Sequence, residues 1–142
     1  MNLYPWKSVK KGEKSHRVAV IQYLLRAHGH TVTVDRDFGS KTDKAVREFQ
    51  TTGGLASDGV VGPATWSKLV ITVKSGSTGD AVKAVQSLGL LGQPGDDPLV
   101  VDGKYGPITK QYVGTFQGGW GLAVDGVVGK QTWSFLVRRD DA

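Results

Sequence analysis

Apolar residues recur at three- and four-residue steps in six short stretches of the chain. That spacing places them on one face of a helix, where a packed core can cover them. In the first stretch of each half these residues are Val18, Ile21, Leu24, Leu25, Val82, Val85 and Leu88. We therefore predict helices over 15–27 and about 80–91.

The remaining four stretches are shorter or have narrower apolar stripes. In the first half their apolar residues are Ala45, Val46, Phe49, Trp66, Leu69 and Val70. They predict helices over 40–52 and 63–70, and the matching stretches of the second half predict helices over 107–118 and 130–138. Segment 31–34 alternates like a strand but is short, so we expect an extended stretch or a small hairpin at most.

An octapeptide pattern, Asp-x-x-x-Gly-x-x-Thr, leads into four of these helices. Its copies are at 35–42, 58–65, 102–109 and 125–132. Asp followed by Gly favours a tight turn, and the later Gly lets the backbone approach the helix start closely. Pro63 and Pro107 follow that Gly, at the first helical position, which favours proline. We expect the Thr hydroxyl to bond a free backbone group of the first turn.

The spacing of the four copies shows an internal duplication. The Asp residues are 23 positions apart within each half, and the halves are offset by 67. At that offset the same residue type recurs for Val34, Val46, Phe49, Gln50, Gly54, Leu55, Trp66, Leu69 and Val70. Before the first helix the offset is 64, because the second half has a longer loop at 92–98.

The duplication predicts the domain organisation. Modules of about 60 residues bury only about 60% of their unfolded surface, so we expect the two copies to lean on each other. A two-residue joint also restricts how far they swing. The predicted segments are a lead-in at 1–8, a first module at 9–70, a linker at 71–72, a second module at 73–138 and a tail at 139–142.

Composition excludes several classes of protein. The chain of 142 residues has no cysteine, which rules out disulfides and thiolate metal sites. No stretch approaches the roughly 20 apolar residues of a membrane span, and the first residues lack the apolar run of a secretory signal. The net charge of +5 comes from residues 1–70. A basic cluster can hold nucleic acid, anionic wall polymer or lipid headgroups by non-specific electrostatics, but here we favour a solvated face; the residues of the cluster are Lys7, Lys10, Lys11, Lys14 and Arg17.

Five motifs recur in the same order in both halves. In the second half they are the Gly-rich run at 76–82 leading to Gln86, the Val-Asp-Gly segment at 101–109, the Phe-Gln pair at 116–117, the turn at 121–129 and Thr-Trp-x-x-Leu at 132–136. Together they resemble the peptidoglycan-binding domain type 1 family over almost the whole chain after residue 8. The first half departs from the family pattern at 13–15 and at Arg36, where Gly is expected.

The resemblance implies a mostly α fold of two tandem three-helix bundles, with short extended segments in the loops. It also implies non-covalent binding to bacterial cell-wall peptidoglycan, which targets the chain or a partner wall-lytic enzyme to the wall. The implied location is extracellular or in the cell wall. A phage-encoded or non-classically exported protein fits the lack of a signal sequence, and a protein-docking module of a phage or secretion assembly is the alternative function.

The residues give little support to catalysis. A glycosidase needs two carboxylates about 5 to 10 Å apart, yet the only glutamates are Glu13 and Glu48, and Thr115 replaces Glu48 in the second half. Turn geometry explains the fourfold Asp. The three histidines lack the spacing of a zinc site and are all in the first half. We therefore predict a binding protein without metal or cofactor, and a small wall hydrolase is the less favoured alternative.

Binding to peptidoglycan suggests a set of ligand contacts. Sugar rings favour aromatic faces, and peptide carboxylates and amides favour Arg, Lys, Asn and Gln. Trp66 and Trp133 lie three residues from a Leu on short helices, which indicates core positions, whereas Trp120 has Gly53 as its counterpart and lies in a Gly-rich turn. We slightly favour a loop-tying role over ligand contact for the two glutamines of the candidate set, which is Tyr23, Arg47, Gln50, Tyr105, Gln117 and Trp120.

Overall fold

The computed structural model describes residues 6–89 and 101–138, and its fold is mostly α, as predicted. The six helices in these ranges are α1 (His16–Ala27), α2 (Ser40–Thr52), α3 (Pro63–Leu69), α4 (Asp80–Gly89), α5 (Pro107–Gly119) and α6 (Lys130–Arg138). Helix α1 begins one residue later than predicted because Ser15 has extended backbone geometry at the N-cap. The predicted end of the fourth helix, the loop at 92–98 and the tail at 139–142 lie outside the described residues.

No strand forms within 6–89 or 101–138, where the β contacts are isolated bridges. The small hairpin considered for 31–34 is absent, and this segment forms no β-bridge. Val32 is buried there, and its carbonyl oxygen accepts a hydrogen bond of 3.1 Å from Arg26 Nη1. The backbone is therefore tied to a side chain of α1 and not to a second strand. The bridges join Val9 with Val61, Lys14 with Asp37, Val73 with Val128 and Thr78 with Lys104.

Each half attaches its first residues to its third helix in the same way. Trp66 Nε1 donates to the Lys7 carbonyl oxygen at 2.7 Å, and Trp133 Nε1 donates to that of Ile71 at 2.8 Å. Both indole side chains are fully buried, which confirms their predicted core positions. In the first half the Trp6 ring also stacks on Trp66, with the ring centroids 5.6 Å apart and the planes 9° from parallel.

The most extensive helix packing joins the two halves, through α1 and α4. On α1, Val20 and Leu24 lie away from Gln22, which faces the loop of its own half, and both are fully buried. On α4, Ala84 and Leu88 occupy the equivalent positions and are also fully buried. Both helices therefore bury two faces, one within their own bundle and one between the bundles.

The buried apolar residues of the two halves form one continuous cluster. Polar contacts reinforce this packing: Arg17 Nη1 on α1 donates to the Val137 carbonyl oxygen at 3.2 Å, and Arg26 pairs with Asp80 at 3.6 Å. Each half retains its own three helices, so the halves are joined by contact and not by exchange of helices. None of the described helices is long and apolar enough to cross a bilayer.

Candidate functional site

Four buried glutamines organise the four octapeptide turns. In each turn the Gln Nε2 donates to Asp Oδ1 at 2.9–3.0 Å, to Thr Oγ1 at 3.1–3.2 Å and to the carbonyl oxygen two residues after the Asp at 2.9–3.2 Å. The Gln Oε1 accepts from the backbone N–H that follows the Asp at 2.9–3.1 Å. We call these the Gln–Asp–Thr clusters; they are Gln22–Asp35–Thr42, Gln50–Asp58–Thr65, Gln86–Asp102–Thr109 and Gln117–Asp125–Thr132.

These clusters change the role predicted for the threonines. The N-cap residues of α2, α3 and α5 are glycines, and none makes a side-chain cap hydrogen bond. The Thr hydroxyl of each cluster accepts from the buried Gln amide instead of bonding the free N–H groups of the first turn. The start of each of these helices is thus fixed by the glutamine of the preceding helix, which bonds across the turn.

Hydrogen bonds also lower the pKa of each cluster aspartate below its ordinary value of 3.8. The largest cause is the backbone N–H two residues later, and the second is the Gln side chain. Because the folded pKa is depressed, the ionised carboxylates stabilise the fold above the ordinary pKa. That contribution is lost as the pH falls through the lowered pKa.

The first cluster contains the one described non-glycine residue with a positive φ, Arg36 at 67°. Glycine occupies this position in the other three clusters, at φ 71–75°. A Cβ in the left-handed region costs about 1–2 kcal/mol. We expect Arg36→Gly to raise the free energy of unfolding by about 1 kcal/mol relative to Arg36→Ala, measured by urea denaturation. Alanine controls for loss of the side chain; equal stability of the two variants would contradict the prediction.

Three of the six candidate ligand residues lie in the interior. Gln50 and Gln117 are each 1% exposed, and their amide atoms are engaged within their clusters. Tyr105 is 4% exposed, and its hydroxyl donates to the Gly126 carbonyl oxygen. Burial, with a smaller contribution from Asp125, raises the pKa of Tyr105 to about 12. These side chains hold loops together and present no polar group to a ligand.

Arg47 lies on the exposed face of α2 and is held by its own half. Its Nε pairs with Asp43 at 3.0 Å, and its Nη1 donates to the Ser57 carbonyl oxygen at 3.1 Å. Both contacts brace the turn before α3. The open surface around it also carries Lys44 and Glu48, so charges of both signs alternate there.

Trp120 is the most exposed aromatic side chain of the described residues, at 45%. Its ring contacts Phe135 with a centroid separation of 5.4 Å, and the Arg138 guanidinium lies 5.2 Å from its ring centroid. We call Trp120, Phe135 and Arg138 the aromatic patch. Its counterparts in the first half are Gly53, Lys68 and Ile71. The fold therefore forms without this patch in one copy.

Tyr23 lies in a groove of about 430 Å³ between the two halves. We call it the inter-repeat groove; it is lined by Tyr23, Arg26, 31–34, Lys41, Asp80 and Lys83. The first half contributes the aromatic ring and two of the basic residues, and α4 contributes Asp80 and Lys83. Three basic side chains therefore face one carboxylate.

The structure separates the exposed candidates into three surfaces. Tyr23, Arg47 and Trp120 belong to the groove, the α2 face and the aromatic patch, respectively. Sequence reasoning missed Lys41, Lys83 and Phe135. The sequence could have identified these three residues, because each differs chemically from the residue at the equivalent position of the other half. Within 6–89 and 101–138 no group of three or more His, Asp or Glu side chains is placed to hold a metal ion.

The sequence profile described as "Putative peptidoglycan binding domain" matches residues 14–69 and 78–136, one match for each repeat. The chain belongs to this family. Its two copies of the peptidoglycan-binding domain account for the four turns and the six described helices, because each matched range covers one three-helix unit, apart from the last two residues of α6.

Several relatives of this chain are named as enzymes. It is 40% identical over 78 residues to a zinc D-Ala-D-Ala carboxypeptidase of Streptomyces albus G, covering 54% of this chain and 29% of the relative. It is 29% identical over 156 residues to the N-acetylmuramoyl-L-alanine amidase CwlL of Bacillus licheniformis, covering 87% and 43%. The chain thus spans less than half the length of these curated relatives.

Two solved structures are also similar to parts of this chain. A peptidoglycan-binding protein from Clostridioides difficile, in complex with glutamine hydroxamate, is 46% identical with a TM-score of 0.44, covering 44% of this chain and 40% of that one. The Burkholderia AP3 phage endolysin is 41% identical with a TM-score of 0.44, covering 45% and 25%. Each likeness spans about the length of one repeat.

Proposed function

We propose that this chain binds bacterial peptidoglycan non-covalently and acts at the cell wall, where it holds itself or a wall-lytic enzyme on its substrate. The observation that carries the proposal is the family match to both repeats. Relatives named as a carboxypeptidase and an amidase support a link to wall-lytic enzymes. The chain itself performs no hydrolysis in this proposal, because its recurrent aspartates are committed to turn geometry.

The aromatic patch supports contact with glycan. A rigid aromatic face supplies contact area at little cost in conformational entropy, and Phe135 and Arg138 hold Trp120 in place. Because Gly53 replaces Trp120 in the first repeat, the fold does not require an aromatic ring there. We therefore assign sugar-ring stacking to the second repeat.

The experiment is co-sedimentation with purified sacculi. We expect the chain to pellet at both low and high salt, because stacking and hydrogen bonding resist screening better than a charged surface does. Trp120→Ala is expected to weaken retention by about fivefold or more, as for a central aromatic anchor. Val124→Ala, which truncates a residue that is 66% exposed, is the control and should leave retention unchanged.

Three results would count against these assignments. A chain that stays in the supernatant at every salt concentration contradicts the proposed function. Retention that disappears only at high salt assigns binding to the basic cluster of the first repeat. Equal retention of Trp120→Ala and Val124→Ala contradicts the role of the aromatic patch.

A further inference from the structure

The inter-repeat groove exists because α1 and α4 pack against each other. Its two walls belong to different repeats: Tyr23 and Arg26 project from α1, and Asp80 and Lys83 from α4. Arg26 ties the walls together, since its Nε pairs with Asp80 Oδ1 at 3.6 Å and its Nη1 donates to the Val32 carbonyl oxygen. Neither repeat alone could form this groove.

The internal duplication separates residues that the fold requires from residues that it does not. The glutamine, aspartate and threonine of the clusters, which the turns require, are the same residue types in both repeats. The groove residues differ from their counterparts in size, polarity or charge. The pairs are Tyr23 and Ser87, Lys41 and Ile108, Asp80 and His16, and Lys83 and Ala19. Their chemistry is therefore not needed to build a bundle.

The charges of the groove favour an anion. The Arg26 guanidinium is already paired with Asp80. The ammonium groups of Lys41 and Lys83 therefore make the electrostatic potential of the groove positive. Lys83 is half-buried, and its aliphatic stem lies beside Gly103, with Cε 3.2 Å from where a Cβ on that glycine would be. Side chains with one sign of charge in a concave site concentrate oppositely charged ligands.

We infer that the inter-repeat groove is a single composite site for a carboxylate of the peptide stems of peptidoglycan, with Lys41 and Lys83 as the ligands of the anion. This assignment rests on the proposed function and names the part of the polymer that the groove takes. Tyr23 supplies an aromatic wall for the neighbouring peptide atoms. In this assignment the glycan strand contacts the aromatic patch, which lies in the second repeat.

The test uses soluble disaccharide-peptide fragments, released from sacculi with a muramidase, and the same fragments after amidation of their carboxylates. Binding to the full chain is measured by calorimetry. Charge-assisted contacts are lost on amidation, so we expect the free fragments to bind about tenfold more tightly than the amidated ones. The preference should shrink at high salt, though less than that of a fully exposed ion pair.

Paired variants assign this preference to the groove. Lys41→Gln combined with Lys83→Met removes both ammonium groups, and methionine retains the stem that packs beside Gly103. We expect this variant to bind the two fragment preparations equally. The control, Lys10→Gln combined with Lys11→Gln, removes the same charge from two exposed lysines outside the groove and should keep the preference. Thermal unfolding checks that both variants remain folded.

Two outcomes overturn the inference while leaving the proposed function intact. One is a groove variant that keeps the wild-type preference for free carboxylates. The other is an equal loss of preference in the control, which would assign the effect to net charge. Failure of the wild-type chain to pellet with sacculi is a different result, because it removes the proposed function itself.

Discussion

Replacing Gln22 with leucine is expected to lower the free energy of unfolding by about 3 kcal/mol or more. The Gln22 side chain is fully buried and bonds Asp35, Thr42 and three backbone groups of the turn that follows α1. Leucine fills a similar volume but leaves the two N–H groups and the acceptors of that turn without their partner. Each buried polar group left unsatisfied costs about 1–3 kcal/mol.

Urea denaturation followed by circular dichroism measures this change. Gln111→Leu is the matched control, because Gln111 is exposed on α5, and we expect it to stay within about 0.5 kcal/mol of the wild type. If the Gln22 and Gln111 variants were equally stable, the cluster would be a consequence of the fold and not one of its determinants.

Leu24→Ala and Leu88→Ala are each expected to cost about 2–5 kcal/mol, because both truncations open a cavity in a fully buried part of the shared core. Since that core is continuous across the repeats, we also expect the wild type and both variants to unfold in a single transition. Loss of packing in either repeat should therefore destabilise both.

The measurement is urea unfolding followed in parallel by tryptophan fluorescence and far-ultraviolet circular dichroism. Coincident curves for each protein, with the midpoints of the variants shifted to lower urea, are the expected result. Val124→Ala, at an exposed position of the second repeat, should leave the midpoint nearly unchanged. A curve with two steps, of which Leu88→Ala shifts only one, would show that the repeats fold independently.

The helices were predictable because each is marked by local chemistry. Apolar residues at helical steps gave their extents, and the glycine before Pro63 and Pro107 gave two of their starts. The burial of Trp66 and Trp133 followed from their spacing to leucine. The irregular segment 31–34 was less predictable, because a side chain of α1, and not its own alternation, determines its backbone hydrogen bonding.

The candidate site was predicted less completely, because it depends on how the two repeats pack. Sequence periodicity identified the α1 stripe facing its own bundle, but it did not identify Val20 and Ala84, which are buried on the helices that join the two bundles. Tyr23 was therefore found without Lys41 and Lys83, its neighbours in the groove. Gln117 was named as a candidate contact because glutamine is a common ligand donor, although its amide is used inside a turn.

The packing of α1 on α4 has a consequence for how the chain meets a polymer. Two flexibly tethered domains search for their second contact at an effective concentration that the tether sets. Here the shared core fixes the aromatic patch and the groove relative to each other. The distance between the two surfaces is therefore constant, and no tether length determines the effective concentration of the second contact. If the patch binds glycan and the groove binds a peptide carboxylate, as proposed, a strand whose peptides fall at the matching interval would engage both surfaces at once, whereas a strand of another period would engage only one. Under the proposed assignments, the two surfaces together would therefore favour strands with one particular peptide spacing.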